Sequence, residues 1–125
     1  MPFVRVSMRA GKPPAYRQAI FDSIYLAMRE ALEVPEDDQF MALTEHEAAN
    51  FRFGAYPGIA RGDDLLCIQV TVFNTRTAEQ KKELFRCLAQ RLGDKPGVRP
   101  EDVFVNILES ARENWSLGHG IATFA

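Results

Sequence analysis

This chain of 125 residues has no excess of positive charge. Its 15 Lys and Arg residues are outnumbered by 17 Asp and Glu residues, which gives a net charge of −2. A nucleic-acid-binding protein gains affinity from cationic contacts to phosphates, so this balance argues against such a partner. No apolar run approaches the roughly 18–20 residues that a membrane span needs, and no apolar signal-peptide stretch follows Arg5 and Arg9. We therefore expect no membrane partner and no export signal.

Cysteine is also rare, since only Cys67 and Cys87 are present. Cys67 lies in an apolar run typical of a strand and Cys87 lies in a helical pattern, so they are not spaced as a redox or zinc pair. The two histidines, His46 and His119, have no metal-ligating partner at suitable spacing either. We expect buried free thiols, a reducing cytoplasm as the compartment and no metal site.

What the sequence does contain is an internal duplication with a spacing of about 64 residues. Each half begins with an alternating apolar strand, formed by Val4, Val6 and Met8 and by Ile68, Val70 and Val72. An amphipathic helix follows in each half, with apolar faces of Ile20, Ile24, Ala27 and Ala31 and of Leu84, Leu88 and Leu92. Each half then has a Pro-Glu-Asp turn and a second strand, at 40–43 and at 103–108.

The ends of both helices can be read from local chemistry. Pro13 and Pro14 suit the first turn of a helix, where a missing N–H costs nothing. Thr77 and Gln80 form a capping-box pattern at the start of the second helix. Gly93 is predicted to end that helix in a left-handed conformation.

Each half is therefore a β-α-β unit, whose crossover makes its two strands parallel. Two such units predict an α+β fold with one four-stranded sheet and two helices on one face. A ferredoxin-like sandwich is the alternative, because periodicity does not separate the two topologies. We expect one domain, with a first repeat at about 1–53, a connecting loop at 54–64 and a second repeat at about 65–125. Near-continuous apolar strands such as 65–68 indicate burial on both sheet faces, and two helices cannot cover both, so we expect an oligomer.

Pro2 opens the first strand and is the first candidate for chemistry. If Met1 is removed, the Pro2 nitrogen becomes a secondary amine that can act as a general base. An α-amino group titrates near 8 in water, and burial or a neighbouring cation lowers that pKa towards neutrality. With Met1 retained, the same nitrogen is acylated and Pro2 simply begins a strand.

This combination resembles the tautomerase superfamily, and within it the fused-repeat branch that holds malonate semialdehyde decarboxylase and related 4-oxalocrotonate-tautomerase-like proteins. The resemblance implies a homotrimer of fused protomers, an active site around the N-terminal proline, a small carboxylate substrate, no metal and no organic cofactor. The matching stretches run through nearly the whole chain, at 34–40, 61–64, 75–81, 100–103 and 113–120.

Asn74 and Arg76 follow the strand at 68–73 and are candidates for binding the substrate. Active-site groups often lie beyond the carboxyl ends of parallel strands, and a guanidinium fork matches a carboxylate. The resemblance implies an essential arginine at Arg76, whose alternative role is that of a solvated side chain before a helix. Asn74 matches a position where the decarboxylase has a second arginine. Asn74 can hydrogen-bond a carbonyl oxygen but offers no charge, which weakens the case for decarboxylation.

Three further residues are candidates for the same site. Asp38 follows the turn at 35–37 and is aligned roughly with Val103 of the second repeat, while Asp37 is aligned with Asp102. The resemblance implies that Asp38 serves the site through water or the proline, and the alternative is a turn-capping aspartate. Trp115 and Leu117 match an aromatic and apolar wall, with leucine where phenylalanine is usual. Trp115 otherwise reads as a core residue.

Three functions fit these residues. The first is cofactor-free keto–enol tautomerisation of a small 2-keto carboxylate, with Pro2 as base and Arg76 as anchor. The second is decarboxylation or hydration of a small 3-oxo or unsaturated acid, with Asp38 activating water. The third is a non-catalytic oligomeric binding module, which retention of Met1 would favour.

Overall fold

The computed structural model describes the whole chain, Met1–Ala125. Four strands and two long helices follow one another as two β-α-β units, which confirms the predicted repeat. Their bounds are β1 Phe3–Arg9, α1 Pro14–Leu32, β2 Met41–His46, β3 Leu66–Phe73, α2 Ala78–Asp94 and β4 Val103–Ser110. Three single-turn 3-10 helices add Ala48–Asn50, Pro100–Asp102 and Arg112–Asn114. No helix combines the length and apolar composition that crossing a lipid bilayer requires.

The four strands form one sheet in the order β2-β1-β3-β4. β1 is parallel to β2 and β3 is parallel to β4, whereas the central pair β1 and β3 is antiparallel. In a ferredoxin-like fold another strand separates the two strands of each split β-α-β unit. Here the two strands of each unit pair directly, so the fold is the tandem β-α-β arrangement.

The pairing register relates the two repeats and corrects one predicted alignment. Val4 pairs with Met41 in the first repeat and Ile68 pairs with Val105 in the second. Asp38 lies three positions before Met41, and Asp102 lies three positions before Val105. The register therefore aligns Asp38 with Asp102 and not with Val103. The sequence alignment went wrong because it matched the Pro-Glu-Asp letters, although the first turn contains one more residue.

The core lies between one face of the sheet and the two helices. The predicted inward positions of β1 and β3 are all buried, as are the predicted helix faces; they include Val4, Val6, Ile68, Val70, Ile20, Ile24, Leu84 and Leu88. Both helices pack against each other and against this face. The periodicity predicted these positions because one buried face forces apolar residues to recur with the period of each element.

The opposite face of the sheet is uncovered in a single chain. On this face Gln69 of β3 and Asn106 of the edge strand β4 hydrogen-bond at 3.0 Å. Phe104 and Leu108 of β4 are 49% and 43% exposed there. The predicted burial on both faces is therefore not reached within one chain.

The predicted helix starts are confirmed, but the predicted end of α2 is wrong. α1 begins at Pro14, and Thr77 and Gln80 form the full capping box of α2. α2 continues through Gly93 to Asp94, and the left-handed glycine is Gly97, with φ of 103°. The amides of Gly97 and Val98 both donate to the carbonyl oxygen of Leu92, at 3.0 and 2.8 Å. The returning chain therefore ends the helix, a contact that local sequence does not reveal.

Candidate active site

The N-terminus and Asp38 meet because β1 and β2 are parallel neighbours. Met1 and Asp38 each lie three positions before a paired residue, Val4 and Met41 respectively. The amide of Val4 donates to the carbonyl of Phe40 at 2.9 Å, which extends the pairing towards both residues. As a result the Met1 amine nitrogen lies 3.7 Å from Asp38 Oδ2, with side chains only 6% and 14% exposed.

Pro2 is buried immediately before β1. Met1 is joined to it here, so the free amine at this position is the primary amine of Met1. Burial lowers the pKa of that amine below 8.0, since a charged group loses solvation there. Asp38 opposes the shift and raises the pKa, whereas the charges of Arg76 and Arg112 lower it. An ammonium group is therefore disfavoured at this end of β1, although a carboxylate is close to it.

Arg76 and Asn74 reach the same region because β3 is the antiparallel neighbour of β1. The guanidinium of Arg76 is half-buried, and its Nη1 donates to the carbonyl oxygen of Leu32 at 2.5 Å. Its Nε is buried without a hydrogen-bond partner. Asn74 is exposed, and its backbone amide donates to Ser110 at 3.2 Å. Arg76 is thus held at the C-terminal end of α1, and only one of its five N–H donors has a protein partner.

Aromatic side chains form a wall beside the N-terminus. The Phe73 ring meets Trp115 edge-on at 5.8 Å and Phe124 at 5.1 Å between ring centroids. Thr123 ties the end of the chain to this wall, since its Oγ1 accepts from the amide of Leu117 at 2.9 Å. Trp115 is half-buried, and its indole N–H is buried without an acceptor. Trp115 therefore belongs to the wall of the site and lies outside the main core.

A cavity of about 410 Å³ lies between the N-terminus, Asp38 and the aromatic wall. Its lining consists of Met1, Pro35, Glu36, Asp37, Asp38, Phe73, Leu117 and Phe124. Of the predicted site residues, Asp38 and Leu117 line it and Trp115 supports it through Phe73. Pro2, Arg76 and Asn74 do not line it. A groove of about 420 Å³ between the helices, bordered by Ser23 and Arg91, contains none of the predicted residues.

Sequence reasoning missed Phe73, Phe124 and Arg112. Phe73 follows Val72, which is also buried, so it breaks the alternation by which its direction would be predicted. Phe124 lies in an irregular tail, and Arg112 follows the last strand. Only the pairing of β3 with β4, which sets Phe73 opposite Ser110, brings these three positions together.

One group of possible metal ligands lies on the helices, away from this cavity. Ligand atoms of Glu30, Glu83 and Cys87 lie within 4.8 Å of one another. Arg91 and Arg86 already bind the two carboxylates. Burial raises the pKa of the Cys87 thiol to about 11, so the thiolate that a metal requires is disfavoured. Both thiols are free, as predicted, but only Cys87 is buried and Cys67 is half-buried.

The chain is similar to tautomerases along nearly its whole length. Two family models, each of a tautomerase enzyme, match residues 2–58 and 38–118. The probable tautomerase YusQ of Bacillus subtilis (strain 168) is 38% identical over 123 residues, which is 98% of this chain and 97% of that protein.

Two solved structures extend the likeness to three dimensions. FG41 malonate semialdehyde decarboxylase inhibited by 3-bromopropiolate has a TM-score of 0.92 at 31% identity, over 98% of this chain and 93% of the other. A symmetric trimer of fused 4-OT has a TM-score of 0.80 at 21% identity, over 95% and 94%. The second likeness concerns the fold alone.

Proposed function

Because the chain belongs to the tautomerase superfamily, in its fused-repeat branch, we propose that it catalyses cofactor-free keto–enol tautomerisation of a small 2-keto carboxylate. Pro2 is the general base once Met1 has been removed. The observation that carries this proposal is the environment of the Met1 amine at the start of β1, which lies 3.7 Å from Asp38 and has its pKa lowered by burial. Removal of Met1 would leave the Pro2 amine at this same end of β1. A base that is neutral near operating pH is what proton transfer requires.

The proposed reaction moves one proton between two atoms of the substrate. The neutral Pro2 amine takes the proton of the enol hydroxyl, and the electrons of that O–H bond stay on the oxygen, which becomes an enolate. The resulting ammonium then gives a proton to the far carbon of the C=C bond: the π electrons form the new C–H bond as an oxygen lone pair forms the carbonyl. Asp38 favours the transient ammonium, because an adjacent carboxylate stabilises a positive charge.

Arg76 anchors the substrate carboxylate in this proposal. Its Nη1 is fixed on Leu32 O, which leaves the buried, unpartnered Nε as a donor to an anionic ligand. Phe73, Leu117 and Phe124 provide an apolar wall, which excludes water and suits a substrate with an apolar or aromatic tail. Phenylenolpyruvate combines the carboxylate, the enol and such a tail, so it is the test substrate.

Loss of the enol absorbance of phenylenolpyruvate tests the proposal. Pro2→Ala should lower kcat/KM by roughly 100-fold or more, since general acid–base catalysis contributes about 10²–10⁴-fold. Pro14→Ala, which changes the first residue of α1, is the matched proline control and should stay active. Intact mass must show that Met1 is absent from the active protein. Equal activity in both variants, or full activity with Met1 retained, would contradict the role of Pro2.

Decarboxylation or hydration of a small 3-oxo or unsaturated acid is the second candidate. It is favoured by the 31% identity to a malonate semialdehyde decarboxylase and by the short distance from Asp38 to the amine. In this reaction Pro2 would act as a charged acid and Asp38 would activate water. Asn74 argues against it, because a neutral side chain polarises a 3-oxo acid less than a second arginine. Release of carbon dioxide from malonate semialdehyde, compared between the native protein and Asp38→Asn, distinguishes the two.

The chain is also proposed to work as a homotrimer. The uncovered sheet face supports this proposal, because Phe104 and Leu108 would be buried if copies of the chain packed there. The fused 4-OT structure of similar fold is itself a trimer. A cytoplasmic location and the absence of nucleic-acid and membrane partners remain predictions from composition.

A further inference from the structure

Arg112 is a cation that the mechanism above does not use; it does not line the cavity but contacts two aromatic residues that do. It begins the 3-10 helix Arg112–Asn114 directly after β4. Its guanidinium carbon lies 5.3 Å from the centre of the Phe73 ring and 5.8 Å from that of Phe124. Both rings line the cavity. Arg112 is therefore fixed on the two aromatic side chains that form the wall.

The charge of Arg112 is not compensated within the protein. The ion pairs of the chain occupy other arginines and lysines, including Arg9, Arg86, Arg91 and Arg99. Arg112 is exposed and donates no side-chain hydrogen bond to a protein group. Stacking on aromatic faces orients a guanidinium without neutralising it, so its donors remain available for an anion.

The strand register brings Arg112 to the position where a second cation would be useful. Phe73 pairs with Ser110, and the Asn74 amide donates to Ser110. The segment after β4 therefore lies beside the segment after β3, which contains Asn74 and Arg76. Asn74 offers no charge there, and Arg76 uses one of its donors on Leu32.

We propose that Arg112 binds the substrate carboxylate from the solvent side of the cavity and makes the site selective for acids over neutral esters. This inference rests on the proposed function and adds a second cation to Arg76. The guanidinium of Arg112 is near enough to the start of β1 to contribute to the lowering of the Met1 amine pKa, after burial and Arg76.

Ligand binding can be measured without turnover, since Trp115 is the single tryptophan and packs on Phe73. Quenching of its fluorescence reports phenylpyruvate, the keto product, and the methyl ester of phenylpyruvate. Arg112→Gln should raise the Kd of the acid about tenfold and leave that of the ester unchanged. Arg112→Lys, which keeps the charge, should recover part of the loss. Lys82→Gln removes an equal charge from a side chain that is 73% exposed on α2 and should behave as native protein.

The kinetic counterpart is a KM for phenylenolpyruvate about tenfold higher in Arg112→Gln, with kcat changed less than about threefold. Equal losses for acid and ester would show a merely structural role and overturn the inference. So would an Arg112→Gln protein that matches Lys82→Gln. Pro2→Ala separates the two proposals, because it should abolish turnover and preserve acid-selective binding. Preserved turnover in Pro2→Ala would refute the proposed function. Even then, a loss of acid selectivity in Arg112→Gln but not in Pro2→Ala would support the role of Arg112 in binding the carboxylate.

Discussion

Asp38 opposes every other influence on the N-terminal amine, and this opposition gives a prediction with a definite sign. Burial and the charges of Arg76 and Arg112 lower the pKa of the Met1 amine, whereas Asp38 raises it, and we expect the same opposition at the Pro2 amine once Met1 is removed. Asp38→Asn should therefore lower that pKa further. The acid limb of the pH profile of kcat/KM reports the free enzyme's base, so it should move to lower pH.

The control for this measurement is the neighbouring residue. Asp37 is exposed and has φ of 65°, a conformation that asparagine also tolerates. Asp37→Asn removes the same charge from the cavity rim and should leave the acid limb where it is in the native enzyme. A shift to higher pH in Asp38→Asn would show that the carboxylate does not stabilise the ammonium.

Asp102 is the counterpart of Asp38 in the second repeat, and its carboxylate contacts protein groups of the connecting loop and of its own turn. It is 2% exposed, and its Oδ1 accepts from the Gly62 amide at 2.7 Å, while Arg99 pairs with Oδ2. In the first repeat a carboxylate faces a free amine, whereas in the second it holds the connecting loop. Asp102→Ala should cost about 2 kcal/mol of unfolding free energy, because the Gly62 N–H loses its acceptor.

Urea unfolding of the native protein, Asp102→Ala and Asp102→Asn tests whether Asp102 stabilises the connecting loop. Asp102→Asn keeps an oxygen for the Gly62 amide and should lose clearly less stability than Asp102→Ala. Activity should change little in either variant, because Asp102 does not line the cavity. If alanine and asparagine were equally stable, the hydrogen bond to Gly62 would not be what retains this carboxylate.

At the level of secondary-structure elements, the sequence predicted the features that depend on neighbouring residues. It missed the features that depend on contacts made after the chain reverses direction. The capping box of α2 is encoded by two residues three positions apart, so it could be read directly. The end of α2 depends on amides at 97 and 98 that bind Leu92 after a reversal. The aromatic wall likewise joins Phe73 to a ring near the end of the chain, and no periodic pattern connects positions so far apart.

The capping box links helix stability to substrate binding, because Arg76 directly precedes the cap. Thr77 Oγ1 accepts from the Gln80 amide at 3.1 Å, and the Gln80 side chain accepts from the Thr77 amide at 2.9 Å. Thr77→Ala should cost about 1 kcal/mol and also raise KM, since the backbone before α2 is less well fixed. Gln80→Glu preserves the motif and should match native protein in melting temperature and KM. A Thr77→Ala enzyme with native KM would show that the cap does not position Arg76.

At the scale of the whole molecule, the sheet has a covered face and an open face, and the alternation of β4 assigns each residue to one of them. Val105 and Ile107 pack against the core, whereas Phe104 and Leu108 face outward. The sequence predicted burial of both faces and hence an oligomer, but one chain covers only one face. Periodicity indicates that a surface is apolar, and it does not reveal which molecule covers it.

Burial of this open face between copies predicts a trimer that one substitution disrupts. Native protein should have the mass of three 14.1 kDa chains in light scattering. Leu108→Glu should give monomers, because a charge buried without a partner between copies is costly. Leu26→Glu is the matched control, since Leu26 is 44% exposed on α1 against 43% for Leu108, and this variant should remain trimeric. A native monomer, or a Leu108→Glu protein as trimeric as Leu26→Glu, would show that the copies do not associate through this face.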